Sequence, residues 1–267
     1  MLLDWWRRRR EAHVLQHRAI PDELWLATLA AYPFLKHRSL ADLLRLRELA
    51  TLFLARKQFH AAGGLVLDDA MALAIAAQAC LPVLELGLQC YDGFIGIVIQ
   101  PDQVEVQRSW TDEHGITHEG SELLAGEAVP GGPVMLAWPD VADAGDSAAM
   151  GYNVVVHEFV HVIDMAGGGD ADGVPPLPDR TARAHWLAVM QAEHAALCRD
   201  LDAGIETWLD PYAANGLEEF FPVASEAFFV APLDLRAHHP ALYALLASYF
   251  RQDPARHARR SRPAGRG

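Results

Sequence analysis

Residues 154–164 read Val154-Val155-Val156-His157-Glu158-Phe159-Val160-His161-Val162-Ile163-Asp164. Two histidines four positions apart lie one above the other on a single helix face. Both imidazoles can then reach one metal ion. Zinc accepts two histidines and a carboxylate and keeps a position for water. Glu158 projects beside the pair, where a carboxylate can take a proton from that water and return it to a leaving amine. The surrounding valines, Phe159 and Ile163 are expected to bury the helix, which would fix the ligand rotamers and dry the site. Asp164 follows His161 by three and His157 by seven, on the same face. It reads either as a polar helix end or as a carboxylate holding a ligand histidine in its tautomer.

A third protein ligand has to come from elsewhere. Glu218, Glu219 and Glu226 stand in a downstream segment rich in Phe and Ala. Glu219 and Glu226 are seven apart and share a helix face, whereas Glu218 points about 100° away. Spacing does not choose between the two; one would bind the metal while the other orients a histidine. Pro222 is comfortable only in a first helical turn, which places the helix start near Glu218.

Around this centre the periodicity predicts a helix over 146–165, ended by Gly167-Gly168-Gly169. Beyond it come a Pro-rich loop, a long amphipathic helix over 180–201, a turn at Asp210-Pro211, and helices over 218–230 and 240–250. Upstream, 94–99, 104–110 and 133–138 carry strand signals, and 112–132 reads as a loop or hairpin. The first 90 residues read as helical, with Ser39 capping a helix over 40–59 and Asp68 or Asp69 starting an Ala-rich one. The pattern implies an α+β fold, mostly helical, with a small mixed sheet beside the histidine helix. One domain over 21–250, helical to residue 90 and carrying sheet and site after it, is expected between frayed basic tails at 1–20 and 251–267.

The chain has 267 residues, 51% of them hydrophobic, enough to bury a substantial core. No apolar run reaches membrane-spanning length, and no apolar segment follows the arginines near the start, so neither a membrane span nor a secretory signal is expected. Cys80, Cys90 and Cys198 are odd in number and share no metal-type spacing, as reduced thiols of a cytoplasmic protein would be. The net charge of −13 is uneven: residues 11–250 hold 12 bases against 33 acids, and Arg108 is the single base between Glu85 and Asp172. Such a surface repels phosphate backbones, which argues against nucleic acid as a direct partner and suits a basic peptide or protein.

Several motifs carry a family resemblance. They are Cys80-Leu81-Pro82-Val83-Leu84-Glu85-Leu86-Gly87-Leu88, Gly132-Pro133-Val134 with Trp138, His157 to Asp164-Met165, and Gly173-Val174-Pro175. Asp210-Pro211-Tyr212-Ala213-Ala214 and Glu219-Phe220, leading to Ser225-Glu226 and Phe228-Phe229, complete the set. Over roughly residues 20–255 the chain resembles the Mlc titration factor A family, glucose-regulated zinc metallopeptidases also described as anti-repressors. The resemblance implies one zinc ion per chain held by His157, His161 and Glu219, with Glu158 as general base and Glu226 supporting the ligands. It implies that Tyr212, otherwise read as a packing residue, stabilises the oxyanion. His118 matches a histidine that can fill the remaining zinc position and so make the site latent, although it also reads as an ordinary exposed loop residue. The implied fold is zincin-like, similar to the catalytic domain of anthrax lethal factor, with peptide substrate added as a strand along a sheet edge; 134–138 is the candidate edge. The implied protein partner is a Mlc-type transcriptional repressor.

Overall fold

The computed structural model describes residues 2–111 and 117–258, with side chains for 5–104 and 124–258. The helical N-terminal part contains α1 (Leu2–His17), α2 (Asp22–Ala31) and α3 (Leu40–Arg56). Ser39 closes a reciprocal capping box with Asp42 at the start of α3, satisfying donors that a helix N-terminus leaves open. The expected tail at 1–20 is instead largely helix. Val14 and Leu15 pack on the core, and Glu11 pairs with Arg56, tying α1 to α3.

The chain then turns extended sooner than its periodicity suggests. Residues 58 and 59, read as the end of a helix, instead open β1 (Gln58–Ala61). After α4 (Asp69–Ala79), capped by Asp68, come β2 (Gly96–Gln100), β3 (Val104–Thr111), β4 (Thr117–Leu124), β5 (Gly126–Ala128) and β6 (Val134–Ala137). β3 and β4 form a separate antiparallel pair. The other four make a mixed sheet in the order β1-β2-β6-β5: β1, β2 and β6 run parallel, and β5 is antiparallel to β6. Burial alternates along β2, with Ile97 and Ile99 turned into the core. The segment 134–138 is therefore not an edge. β6 is paired on both sides, and among the described residues the free edge on this side belongs to β5.

The second half is helical: α5 (Trp138–Ser147), α6 (Val154–Asp164), α7 (Arg180–Asp202), α8 (Leu217–Val230), α9 (Pro232–His238) and α10 (Pro240–Phe250). The single helix expected over 146–165 is two, because Gly151 sits at φ 83° and Asn153 restarts the chain as the N-cap of α6. Pro222 lies in the second turn of α8, past the first turn in which it was expected. Its missing N–H leaves the Glu218 carbonyl without the usual helical donor.

Phe159, fully buried on the rear of α6, explains how that helix is held. Its ring centroid lies 5.6 Å from Phe53 of α3, 5.1 Å from Tyr91 and 5.7 Å from Phe94, all edge-to-face. Such pairs add about 0.5–1.5 kcal/mol each beyond area burial. The histidine helix is thereby clamped to the N-terminal half, and its opposite face is left for chemistry.

Candidate active site

α6 begins on a polar scaffold. Asn153 Oδ1 accepts the Val156 N–H at 2.8 Å, and Asn153 Nδ2 donates to Gln78 Oε1 of α4 at 2.7 Å. Gln78 in turn donates to the Ala74 carbonyl at 3.1 Å. The Asn153 backbone N–H donates to Glu226 Oε2, and Glu226 Oε1 accepts from His157 Nδ1 at 2.7 Å. Gln78, Asn153 and Glu226 are all buried, so each polar atom needs the partner it has. The Nδ1–H bond to a carboxylate fixes the His157 tautomer and turns the lone pair of Nε2 outward.

That lone pair faces His161 and Glu219. His157 Nε2 lies 3.2 Å from His161 Nε2 and 3.2 Å from Glu219 Oε2, and His161 Nε2 lies 3.4 Å from the same oxygen. Four ligands around a tetrahedral zinc at bonds of about 2.0–2.1 Å stand about 3.3 Å apart. The three atoms thus form one face of the tetrahedron a small, hard-to-borderline cation would take. Among the described residues, His157, His161 and Glu219 are the group able to hold a metal ion. Glu218, on the same turn as Glu219, is exposed.

Electrostatics agree with a cation here. Burial works against the charged form of His157, yet the carboxylates of Glu226, Glu219 and Glu158 reverse this and hold its pKa well above normal. Burial likewise works against Glu219, and its interactions with His157 and His161 overcome this and hold that carboxyl well below its usual range. Glu158 is buried, and burial together with nearby Glu219, Glu226 and Glu127 pushes its carboxyl up to about 8 against the opposing pull of His157. A bound cation would supply the positive charge that this crowd of carboxylates lacks.

The site opens into a cleft of about 310 Å³ whose walls include Gly126, Tyr152, His157, Glu158, Trp208 and Tyr212. Tyr212 is half-buried, with its ring centroid 6.1 Å from that of His157, and its backbone N–H is held by Asp210 Oδ1 at 2.9 Å. Gly126, on edge strand β5, touches Glu158 directly: a Cβ there would stand 2.6 Å from both Cγ and Oε1 of Glu158. Neither Gly126 nor Tyr152 and Trp208 was singled out from the sequence. A lone glycine or aromatic carries no spacing signal, and only the sheet register brings them to the helix. Asn153 and Gln78 could be found only through the helix boundary at 153, which the sequence reading placed earlier.

One expected role changes. Asp164 was expected to hold a histidine if it was not merely a helix end. Its Oδ2 instead accepts the Gly173 N–H at 2.7 Å, and its buried Oδ1 has no partner, so it anchors the loop after α6. Gly173 (φ 75°) has the Leu217 carbonyl 2.3 Å from where a Cβ would be, and its own carbonyl accepts from Trp186 Nε1 at 2.8 Å. The aspartate thus links the end of α6 to the start of α8. His118 falls in strand β4, opposite Trp110, and its side chain lies outside the described residues.

Comparison with known proteins gives this arrangement a family. Residues 3–251 match the model of the glucose-regulated metallo-peptidase family M90. Mlc titration factor A of Serratia proteamaculans (strain 568) is 38% identical over 226 residues, covering 84% of this chain and 85% of that protein. Mlc titration factor A of Salmonella arizonae is 36% identical over 240 residues, covering 89% and 94%. The protein of that name from Yersinia pestis (strain Pestoides F) is 36% identical over 212 residues, covering 79% and 77%. A match across nearly the whole fold, with a three-residue metal group on its central helix pair, makes this chain a member of the M90 glucose-regulated metallo-peptidases.

Proposed function

We propose that the protein is a zinc-dependent peptidase acting on short peptides or exposed chain termini in the cytoplasm, through one catalytic domain over residues 21–250. The observation that carries this is the tetrahedral face formed by His157, His161 and Glu219, with a buried carboxylate, Glu158, beside it at the cleft. Zinc held by these three residues would polarise the scissile carbonyl and acidify the attacking water. Glu158 takes the proton from that water and delivers it to the leaving amine. Glu226 keeps His157 in the ligating tautomer. Tyr212 donates its hydroxyl hydrogen bond to the oxyanion that develops on the carbonyl. The free edge of β5 offers backbone groups to which an extended peptide can add as a strand, as in a zincin-like fold of the anthrax lethal factor type.

The test is hydrolysis of chromogenic aminoacyl and peptide substrates by the zinc-loaded protein, compared with Glu158→Gln. Turnover should fall by at least about 10²-fold in the variant while zinc stoichiometry is unchanged. Substantial residual hydrolysis would remove Glu158 from the mechanism.

A second reading has its own support, since the relatives bear the name Mlc titration factor A. In this reading the chain also binds a Mlc-type transcriptional repressor, and its acidic body, 33 acids against 12 bases over 11–250, suits a basic partner. Repressor binding, measured by calorimetry, should survive Glu158→Gln unchanged. Its loss in a folded variant would make binding depend on the chemistry.

A further inference from the structure

A second cleft, of about 600 Å³, lies between the start of α3, α9 and the segment following α10, and shares no lining residue with the first. Its walls carry Arg38, Arg236, Arg251 and Arg256, together with His37 and His257. In a chain of net charge −13 this is a local reversal of sign. The three acids in its walls are already engaged. Asp42 is committed to the Ser39 cap, Glu85 pairs with Arg45 at 3.8 Å, and Asp253 accepts the Tyr243 hydroxyl at 2.6 Å. None of the four arginines pairs with a carboxylate within the described residues.

Arg38 is the most unusual of them. It is 8% exposed, and one of its terminal nitrogens donates to the Phe34 carbonyl at 3.0 Å. Nε and Nη2 are buried with no partner, as is Nδ1 of neighbouring His37. Burial lowers this guanidinium to about 10, with Asp42 opposing. The Arg38 guanidinium lies over the Phe229 ring, 5.8 Å from the centroid, and pairs with no carboxylate among the described residues, so an unpaired positive charge stands in the cleft wall. Arg251 adds a second oddity, being the one non-glycine residue with positive φ (55°) among the described residues. Asn or Gly would hold that helix end with less strain, so an arginine there points to a use for its side chain.

We propose that this cleft binds a small phosphate-bearing molecule, a phosphomonoester, through the exposed guanidinium groups of Arg251 and Arg256, with the buried charge of Arg38 behind them. Arginine forks match phosphate oxygens in bidentate fashion, and the walls hold four arginines against three carboxylates. A cleft of about 600 Å³ accommodates a phosphorylated metabolite. This site is independent of the metal centre and of any peptidase activity.

The experiment is calorimetric titration of the full chain, zinc-loaded and again after chelation, with inorganic phosphate and with phenyl phosphate. Saturable binding tighter than about 1 mM is expected in both states, weakening as salt is added. Arg251→Ala with Arg256→Ala, both exposed and so safe for folding, should weaken it by roughly tenfold or more. Arg38→Gln is the stricter variant, interpretable where circular dichroism shows the parent fold. Binding that vanishes with the metal, or is unchanged in the double arginine variant, would overturn the assignment. So would equal competition by acetate, or no phosphate binding alongside arginine-dependent sedimentation on phosphatidic acid vesicles, which would make the surface a membrane contact.

Discussion

At the scale of single residues, the division of labour between Glu219 and Glu226 is the point at which sequence spacing stops and geometry begins. Seven residues put both on one face of α8, and nothing in that number says which meets Nε2 and which meets Nδ1. The structure turns Glu219 toward both Nε2 atoms and Glu226 toward the rear nitrogen of His157. Asp164 shows another case, in which spacing left a histidine partner and a plain helix end both open. It is three residues from His161, yet its carboxylate serves the Gly173 amide. Burial raises its pKa from 3.8 to about 6. A carboxyl raised on folding is stabilising while protonated, so its contribution is whole below the unfolded pKa and lost as pH rises through the folded one. In metal-free protein, stability relative to Asp164→Asn should therefore fall by on the order of 3 kcal/mol between about pH 4 and pH 6 and be flat above. Urea midpoints across that range measure it; a difference that grows on acidification would contradict the sign.

At the scale of elements, long amphipathic or capped helices are legible in the sequence, because their signals are local. Ser39 and Asp68 announce α3 and α4, and the 3.6-residue pattern announces α7. The strands were less legible. β1 is four residues following a helical pattern, and β5 is three residues in a polar stretch; both exist because distant partners pair with them. The misplaced sheet edge follows directly, since β6 is an edge only if β5 is unseen. β5 also carries a testable close approach. Gly126→Ala would drive a methyl group into the Glu158 carboxylate. Turnover should drop by roughly 10²-fold while metal content and the melting temperature stay near the parent values. An Ala variant with full activity would mean that Glu158 relaxes without cost.

At the scale of the whole molecule, the ligands come from two helices, α6 and α8, that are about 55 residues apart in sequence and packed together in the fold. A metal that bridges them binds the folded state and not the unfolded one. At a free concentration 100 times its dissociation constant it contributes about 2.7 kcal/mol. For a chain of this size that corresponds to roughly 5–10 °C in melting temperature. Chelation should remove this increment in the parent and change nothing in His161→Ala, as differential scanning calorimetry would report. The described residues include no helix long and apolar enough to cross a membrane.

The hydrogen-bonded line from Ala74 through Gln78, Asn153 and Glu226 to His157 has a practical corollary. It starts in α4, well upstream of every residue with a chemical role, so the catalytic half cannot be excised as a minimal enzyme. A fragment beginning after residue 90 would retain all three ligands and the base, yet Asn153 would lose the acceptor for its side-chain amide and α6 the aromatic clamp around Phe53 and Phe159. The N-terminal helices are in this sense the jig in which the metal centre is assembled, and an engineer wishing to shrink the protein would have to rebuild that jig first.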